Sequence, residues 1–80
     1  MVTMEEELIA YIARALVDRP GEVTVTKSPG EGLEILQLRV ASEDVGKVIG
    51  KHGRIARALR TLLSASAHAS QTRYALEIID

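Results

Sequence analysis

Apolar and polar positions recur along this chain with two periods, and each change of period marks a new element. Leu8, Ile12, Ala15 and Leu16 repeat at helical spacing with Ile9 on the flank, so a first helix is expected with these residues facing inward. Thr3-Met4-Glu5-Glu6 fits a capping box, in which Thr3 and Glu6 serve each other's backbone N–H. Glu5, Glu6 and Glu7 suit the positive end of a helix dipole. Arg19-Pro20-Gly21 is expected to stop the helix, because proline cannot continue it.

Period two then takes over. Glu22-Val23-Thr24-Val25-Thr26-Lys27 alternates and is β-branched, which predicts a strand. Ser28-Pro29-Gly30-Glu31-Gly32 predicts a turn. Leu33 to Ala41 predicts a second strand, with Leu36, Leu38 and Val40 on one face and Ile35, Gln37 and Arg39 on the other. The short link predicts antiparallel pairing.

Helical spacing returns at Ser42. This residue is placed to cap a second helix whose first turn carries Glu43 and Asp44 and which Gly50 cuts short. A third helix is expected from Gly53 to about Ala67, burying Ile55, Leu59, Leu62 and Leu63 and turning Arg54, Arg57 and Arg60 outward. Small residues from Ser64 to Ser70 would admit a closely packed partner helix. Tyr74 to Ile79 reads as a last strand. The order α-β-β-α-α-β predicts one α+β domain over residues 1–80, a three-stranded sheet covered on one face by three helices.

Composition narrows the chemistry. Phe, Trp and Cys are absent and Tyr occurs only at 11 and 74, so the core is aliphatic. Without cysteine there is no disulfide, thiolate nucleophile or Cys-based zinc site, which fits a reducing cytoplasm. Glu5-Glu6-Glu7 follow too soon for a signal peptide, and no apolar run approaches the ~20 residues of a membrane span. A net charge of −1 argues against a nucleic-acid binder, but its distribution argues the other way. Residues 1–44 hold nine acids and four bases. From Val45 to Ala75 there are six bases (Lys47, Lys51, Arg54, Arg57, Arg60, Arg73) and no acid. A local field of this kind can steer a polyanion although the total is near neutral.

The basic half is centred on Val48-Ile49-Gly50-Lys51-His52-Gly53-Arg54-Ile55. A bare Gly-x-x-Gly is most often a tight connection, so its surroundings carry the inference. Gly50 can end one helix in a left-handed conformation, and Gly53 lets the next begin tightly and another backbone approach. The first N–H groups of the helix at Arg54 lack internal partners and favour phosphate. Lys51 and His52 at the tip add charge, and histidine gains charge as the medium becomes acidic. Such a loop suits a phosphodiester backbone.

Val48-Ile49-Gly50-Lys51-His52-Gly53 resembles the V-I-G-x-x-G signature of KH domains, and the element order resembles their type II arrangement. Gly50 to Leu63 and the closing Leu76-Glu77-Ile78-Ile79-Asp80 are similar to the small single-domain bacterial KH proteins of the KhpA family, over essentially the whole chain. One position departs: Ala56 stands where many KH domains have isoleucine, and Ile55 precedes it. The resemblance implies an RNA-binding protein that clamps about four nucleotides of single-stranded backbone with the glycine loop. It implies bases held in an aliphatic groove between the second and third helices and a neighbouring strand. Lys47, Ile49, Gly50, Lys51, His52, Gly53, Arg54 and Arg57 are the candidate nucleic-acid-binding residues, with Val45 and Arg39 at the edges of the groove. It further implies a cytoplasmic post-transcriptional regulator or RNA chaperone, a homodimer, and a heterodimer with a larger KH-containing RNA-binding protein. The absence of exposed aromatic clusters fits an aliphatic groove and counts against RRM or OB stacking platforms.

No catalytic constellation, cofactor motif or metal-ligand spacing is visible, so no enzyme is expected. A Walker A loop is excluded, because Lys51 lies between the glycines with no Gly-Lys-Ser/Thr following. Glu5-Glu6-Glu7 reads as helix-end charge rather than a metal cluster, and His68 as a surface residue. The competing reading is an adaptor that keeps the fold for dimerisation with RNA binding weak or lost.

Overall fold

Helix α1 runs from Met4 to Leu16 in the computed structural model, which describes residues 3–80 apart from the side chains at 69 and 70. The single-domain expectation for residues 1–80 and the small-residue stretch to Ser70 therefore reach, at these positions, outside the described residues. The capping box forms: Glu6 N–H donates to Thr3 Oγ1 at 3.3 Å, and Thr3 N–H donates to Glu6 Oε1 at 3.1 Å. The buried face of α1 differs from the expected one. Glu6, Ile9, Ala10 and Ala13 face inward, while Leu8 and Leu16 are 36% and 37% exposed and Ala15 lies outside. Ala10 and Ala13 are small enough to let the helix settle close to the sheet, and that outweighs the larger stripe beside them.

The helix also ends sooner than Arg19-Pro20-Gly21. Val17 leaves it in an extended conformation, its N–H still bonded to the Ala13 carbonyl at 3.1 Å. Pro20 opens a separate 3₁₀ turn, Pro20–Glu22, at a position where its missing N–H costs nothing.

Strands β1 (Thr24–Gly30) and β2 (Leu33–Arg39) pair antiparallel, with Val25 opposite Leu38 and Lys27 opposite Leu36. The expected turn over Ser28–Gly32 contracts to Glu31-Gly32, because β1 continues through Pro29, which faces Glu34. Proline is tolerated there because β1 is an edge strand. Leu36, Leu38 and Val40 face the core as expected, at 0%, 0% and 3% exposure. Strand β3 (Tyr74–Ile79) lies on the other side of β2 and runs parallel to it, Leu36 beside Leu76 and Leu38 beside Ile78. Parallel neighbours need a long crossover, and two helices supply it.

Those helices are α2 (Val45–Ile49) and α3 (Arg54–Ser70), which join α1 on one face of the sheet. Ser42 makes no capping bond; a 3₁₀ turn over Ser42–Asp44 leads into α2 instead. Helix α3 buries Ala56, Leu59 and Leu63, with Ile55 half-buried. Leu62, expected in this stripe, is 43% exposed. The helix docks through the 56-59-63 row, and Ala56 leaves room for close contact while Leu62 falls to the side. Ile9, Leu36, Leu38, Val48, Leu59 and Leu63 meet in one cluster. Buried side chains of this size contribute about 1.5–3 kcal/mol each.

One buried polar group ties these layers together. Asp44, 1% exposed, accepts from the N–H groups of Asp18 at 3.3 Å and Arg19 at 3.0 Å. Lys47 Nζ donates to Asp44 Oδ1 at 3.2 Å and reaches Asp18 Oδ2 at 3.2 Å. Two N–H groups of the link that follows α1 are thus satisfied by the residue that immediately precedes α2. Burial alone would push the Asp44 carboxyl up, but the two amides and the Lys47 ammonium outweigh it and hold it below its ordinary 3.8. Hydrogen bonds to Asp18 and then Asp44 raise Lys47 above its ordinary 10.5.

The Asp44 contribution to stability is complete above the unfolded carboxyl value and is lost as pH falls through the lower folded one. Asp44→Asn should therefore lower the thermal midpoint at neutral pH. It should also flatten the decline of stability below pH 3.8, measured by thermal denaturation across an acid series.

Candidate nucleic-acid interface

A helix of five residues cannot maintain itself. Helix α2 is placed by Val48, which is 0% exposed in the core, by the Asp44–Lys47 tie before it, and by a contact at its exit. At that exit Gly50 adopts φ 79°, ψ 169°, and its N–H donates to the Gly46 carbonyl at 2.9 Å. The expectation of a left-handed Gly50 is corrected here: φ is positive, but ψ is extended, a region essentially confined to glycine. A Cβ at Gly50 would lie 2.6 Å from Ile55 Cγ1. Ile55 therefore packs directly on the Gly50 backbone and closes the turn across its base.

The turn itself, Lys51–Gly53, is a single 3₁₀ turn. Two consecutive residues are left-handed, His52 at φ 58°, ψ 24° and Gly53 at φ 72°, ψ 17°. A left-handed residue that carries a side chain costs roughly 1–2 kcal/mol, and such strain gathers at functional sites. A Cβ at Gly53 would meet nothing within 4 Å, so no backbone of this chain approaches it. The first N–H groups of the helix at Arg54 were expected to be open to a phosphate, but those of Gly53 and Arg54 are not. They turn inward to the carbonyls of Gly50, at 3.0 Å, and Lys51, because a 3₁₀ turn uses its own first donors. Attraction for an anion rests on the positive end of the 17-residue α3 and on side chains.

The structure gathers most of the sequence-derived residues at this point. Lys51 and His52 stand exposed on the turn, and Arg54 and Arg57 are exposed on the first turn of α3. Among the described residues none pairs with these four cationic or titratable side chains. Ile49 is 37% exposed beside the loop, and Val45, one turn earlier, is half-buried against the core. Two residues are directed elsewhere. Lys47 is committed to Asp18 and Asp44, and the Arg39 guanidinium donates to the Asp80 carbonyl at 2.8 Å. The Asp44–Asp18–Lys47 group was not found by motif, because its partners come together only through tertiary folding. Arg60 donates to the Leu76 carbonyl at 3.4 Å, along the flank of α3 toward β3. Among the described residues no group of three His, Asp or Glu could hold a metal ion, and no helix is long and apolar enough to cross a membrane.

An α-β-β-α-α-β fold whose two middle helices meet at a Gly-x-x-Gly turn defines a KH domain. Residues 6–78 match the family model described as the KhpA/KhpB KH domain. The chain is 53% identical to "RNA-binding protein KhpA" of Borreliella burgdorferi over 95% of its own length and 93% of that protein's. It is 51% identical to the protein of the same name from Clostridium acetobutylicum, over 92% and 99%. This chain belongs to the KhpA/KhpB family of KH domains. In fold it is similar to part of Era, crystallised with MgGDPNP and nucleotides 1506–1542 of 16S ribosomal RNA, with a TM-score of 0.59 and 15% identity. That similarity covers 94% of this chain but 29% of the Era chain.

The two glycines should respond differently to alanine. At Gly50 both the backbone and the Ile55 contact resist a Cβ; at Gly53 only the backbone does. Gly50→Ala should cost about 2 kcal/mol or more, and Gly53→Ala about 1. Chemical denaturation of the two variants checks the order, and Ile55→Ala should recover part of the loss at Gly50 but none at Gly53.

Proposed function

We propose that this protein binds single-stranded RNA in the cytoplasm, as a post-transcriptional regulator or RNA chaperone rather than as a catalyst. The observation that carries this reading is the Gly50–Gly53 turn: a strained, left-handed tip held at its base by Ile55, surrounded by Lys51, His52, Arg54 and Arg57, which form no ion pair among the described residues. A turn of fixed shape beside uncompensated positive charge is what a backbone clamp needs. The relatives' name adds support. Lys51, His52, Arg54 and Arg57 contact phosphates in this reading. Gly53, with nothing within 4 Å of where a side chain would stand, allows the strand to come close, while Gly50 makes room for Ile55 at the base of the turn. Ile49 with Val45 forms an aliphatic wall for bases. Lys47 has a different part: bound to Asp44 and Asp18, it fixes α2 and hence the loop.

A site of about four nucleotides binds weakly alone and gains from a second site held nearby. Leu62, 43% exposed, lies in a shallow apolar depression with Ala58, flanked by Arg54, Arg57 and Thr61. This patch supports self-association through α3, or pairing with a larger KH-containing protein, which would set two clamps side by side. The same patch is what favours the adaptor reading.

Lys51→Asp/His52→Asp should lower affinity for a single-stranded oligonucleotide roughly tenfold or more while circular dichroism and self-association stay unchanged; undiminished binding by the folded variant would defeat the clamp. Leu62→Asp should shift the protein to monomer in sedimentation. A dimer that persists in Leu62→Asp puts the interface elsewhere.

A further inference from the structure

A second basic feature begins where the loop ends. Arg57, Arg60, Ser64 and His68 recur at spacings of three and four, so they share one flank of α3. The bond from Arg60 to the Leu76 carbonyl shows that this flank faces β3. Two adjoining depressions lie between α3 and β3. One, of about 310 Å³, is lined by Arg60, Ser64, Tyr74 and Leu76 among others. The next, of about 630 Å³, is lined by Ser64, Ala67, His68, Gln71, Arg73 and Tyr74. They share Ser64 and Tyr74, and Arg60 in the first of them lies one helical turn beyond Arg57. From Arg57 to His68 this track is about 16 Å long at the rise of a helix.

The charged side chains that line it are basic. No acid occurs between Val45 and Ala75, and no carboxylate lines either depression. The carboxylate behind it, Glu5, is held by hydrogen bonds with Ser66 and Tyr74 and sits below its ordinary value for that reason. Arg60 uses one N–H on Leu76 and keeps others in its fork for a ligand. Arg73 is exposed at the far end. Ser64 and Gln71 add neutral hydrogen-bonding groups, and Tyr74, one of two aromatic residues in the chain, forms part of the wall. Arg60, Ser64, Gln71, Arg73 and Tyr74 thus set hydrogen-bonding groups along a floor of Leu63, Ala67, Ala75 and Leu76.

We propose that the α3–β3 groove is a second RNA-binding track, which takes the phosphodiester backbone of the strand as it leaves the glycine loop. The clamp holds the first nucleotides and Arg57 passes the strand on. Arg60 and Arg73 then hold phosphates beyond the reach of the loop. The protein thereby discriminates by strand length rather than by base sequence. This inference rests on the RNA-binding reading of the loop and extends it.

The test compares oligouridines of about four and about twelve nucleotides by fluorescence anisotropy over a range of salt, using the full chain. Wild type should prefer the longer strand by roughly tenfold, with a log–log salt slope steeper by about 1.4, from two further phosphate contacts. Arg60→Gln/Arg73→Gln should lose that preference and slope while binding the short strand within about twofold of wild type. Arg73→Glu alone, at an exposed position whose guanidinium forms no ion pair among the described residues, serves as the second variant should the double one fold poorly. Equal wild-type affinity for the two lengths, an unchanged preference in the variants, or equal loss on both lengths would each overturn the track. Lys51→Asp/His52→Asp separates the two readings: it should lose both lengths, and if it binds both like wild type the clamp fails whatever the arginine variants show.

Discussion

The placing of the loop depends on a carboxylate that is almost wholly removed from solvent. Asp44 accepts the two backbone N–H groups that follow α1 and the ammonium of Lys47, and so joins the end of one helix to the start of another. A buried carboxylate is tolerated only with such partners. The consequence is geometric. Helix α2 is too short to define its own axis, so its direction is set at one end by Asp44 and at the other by Ile55 on Gly50. The loop between these fixed points projects outward because both its ends are committed.

Charge is handled by separation. The acids of the first half are largely spent on internal tasks: Glu6 on the helix cap, Asp18 and Asp44 on Lys47, Glu22 and Glu43 on Arg19, Glu34 on Lys27. The bases of the second half, Lys47 apart, form no ion pair among the described residues. A total charge of −1 is thus compatible with a strongly basic face. Exposed pairs of this kind add little stability; their effect is to remove negative charge from the field that α3 presents.

Much of the fold was legible in the chain. Where the signal is local it was reliable: Thr3 and Glu6 formed the capping box, Leu36, Leu38 and Val40 kept to one face, and Val48 to Ile55 marked the helix junction. Where the outcome depends on what packs against an element, it was not. Helix α1 carries two apolar stripes, and periodicity cannot tell that Ala10 and Ala13 win because they are small. Leu62 looked buried by spacing and is exposed because α3 docks on Ala56. Pro29 read as a turn because an edge position cannot be seen before the sheet is assembled. Lys47 sits in the basic segment, yet its partner Asp18 lies far back along the sequence and is brought near by folding alone.

The parallel pairing of β3 with β2 has a consequence for the order of events in making this molecule. Residues such as Gln37 and Glu77, bonded across that pair, are 40 positions apart, and everything between them is the two-helix crossover with its loop. Contacts of such separation form late, because the intervening chain must first be confined. During synthesis the N-terminal hairpin and α1 emerge well before Tyr74–Ile79. The Gly50–Gly53 turn is therefore fully framed only when the final strand has docked beside the central one, and an unfinished chain carries its glycine loop without the frame that shapes it.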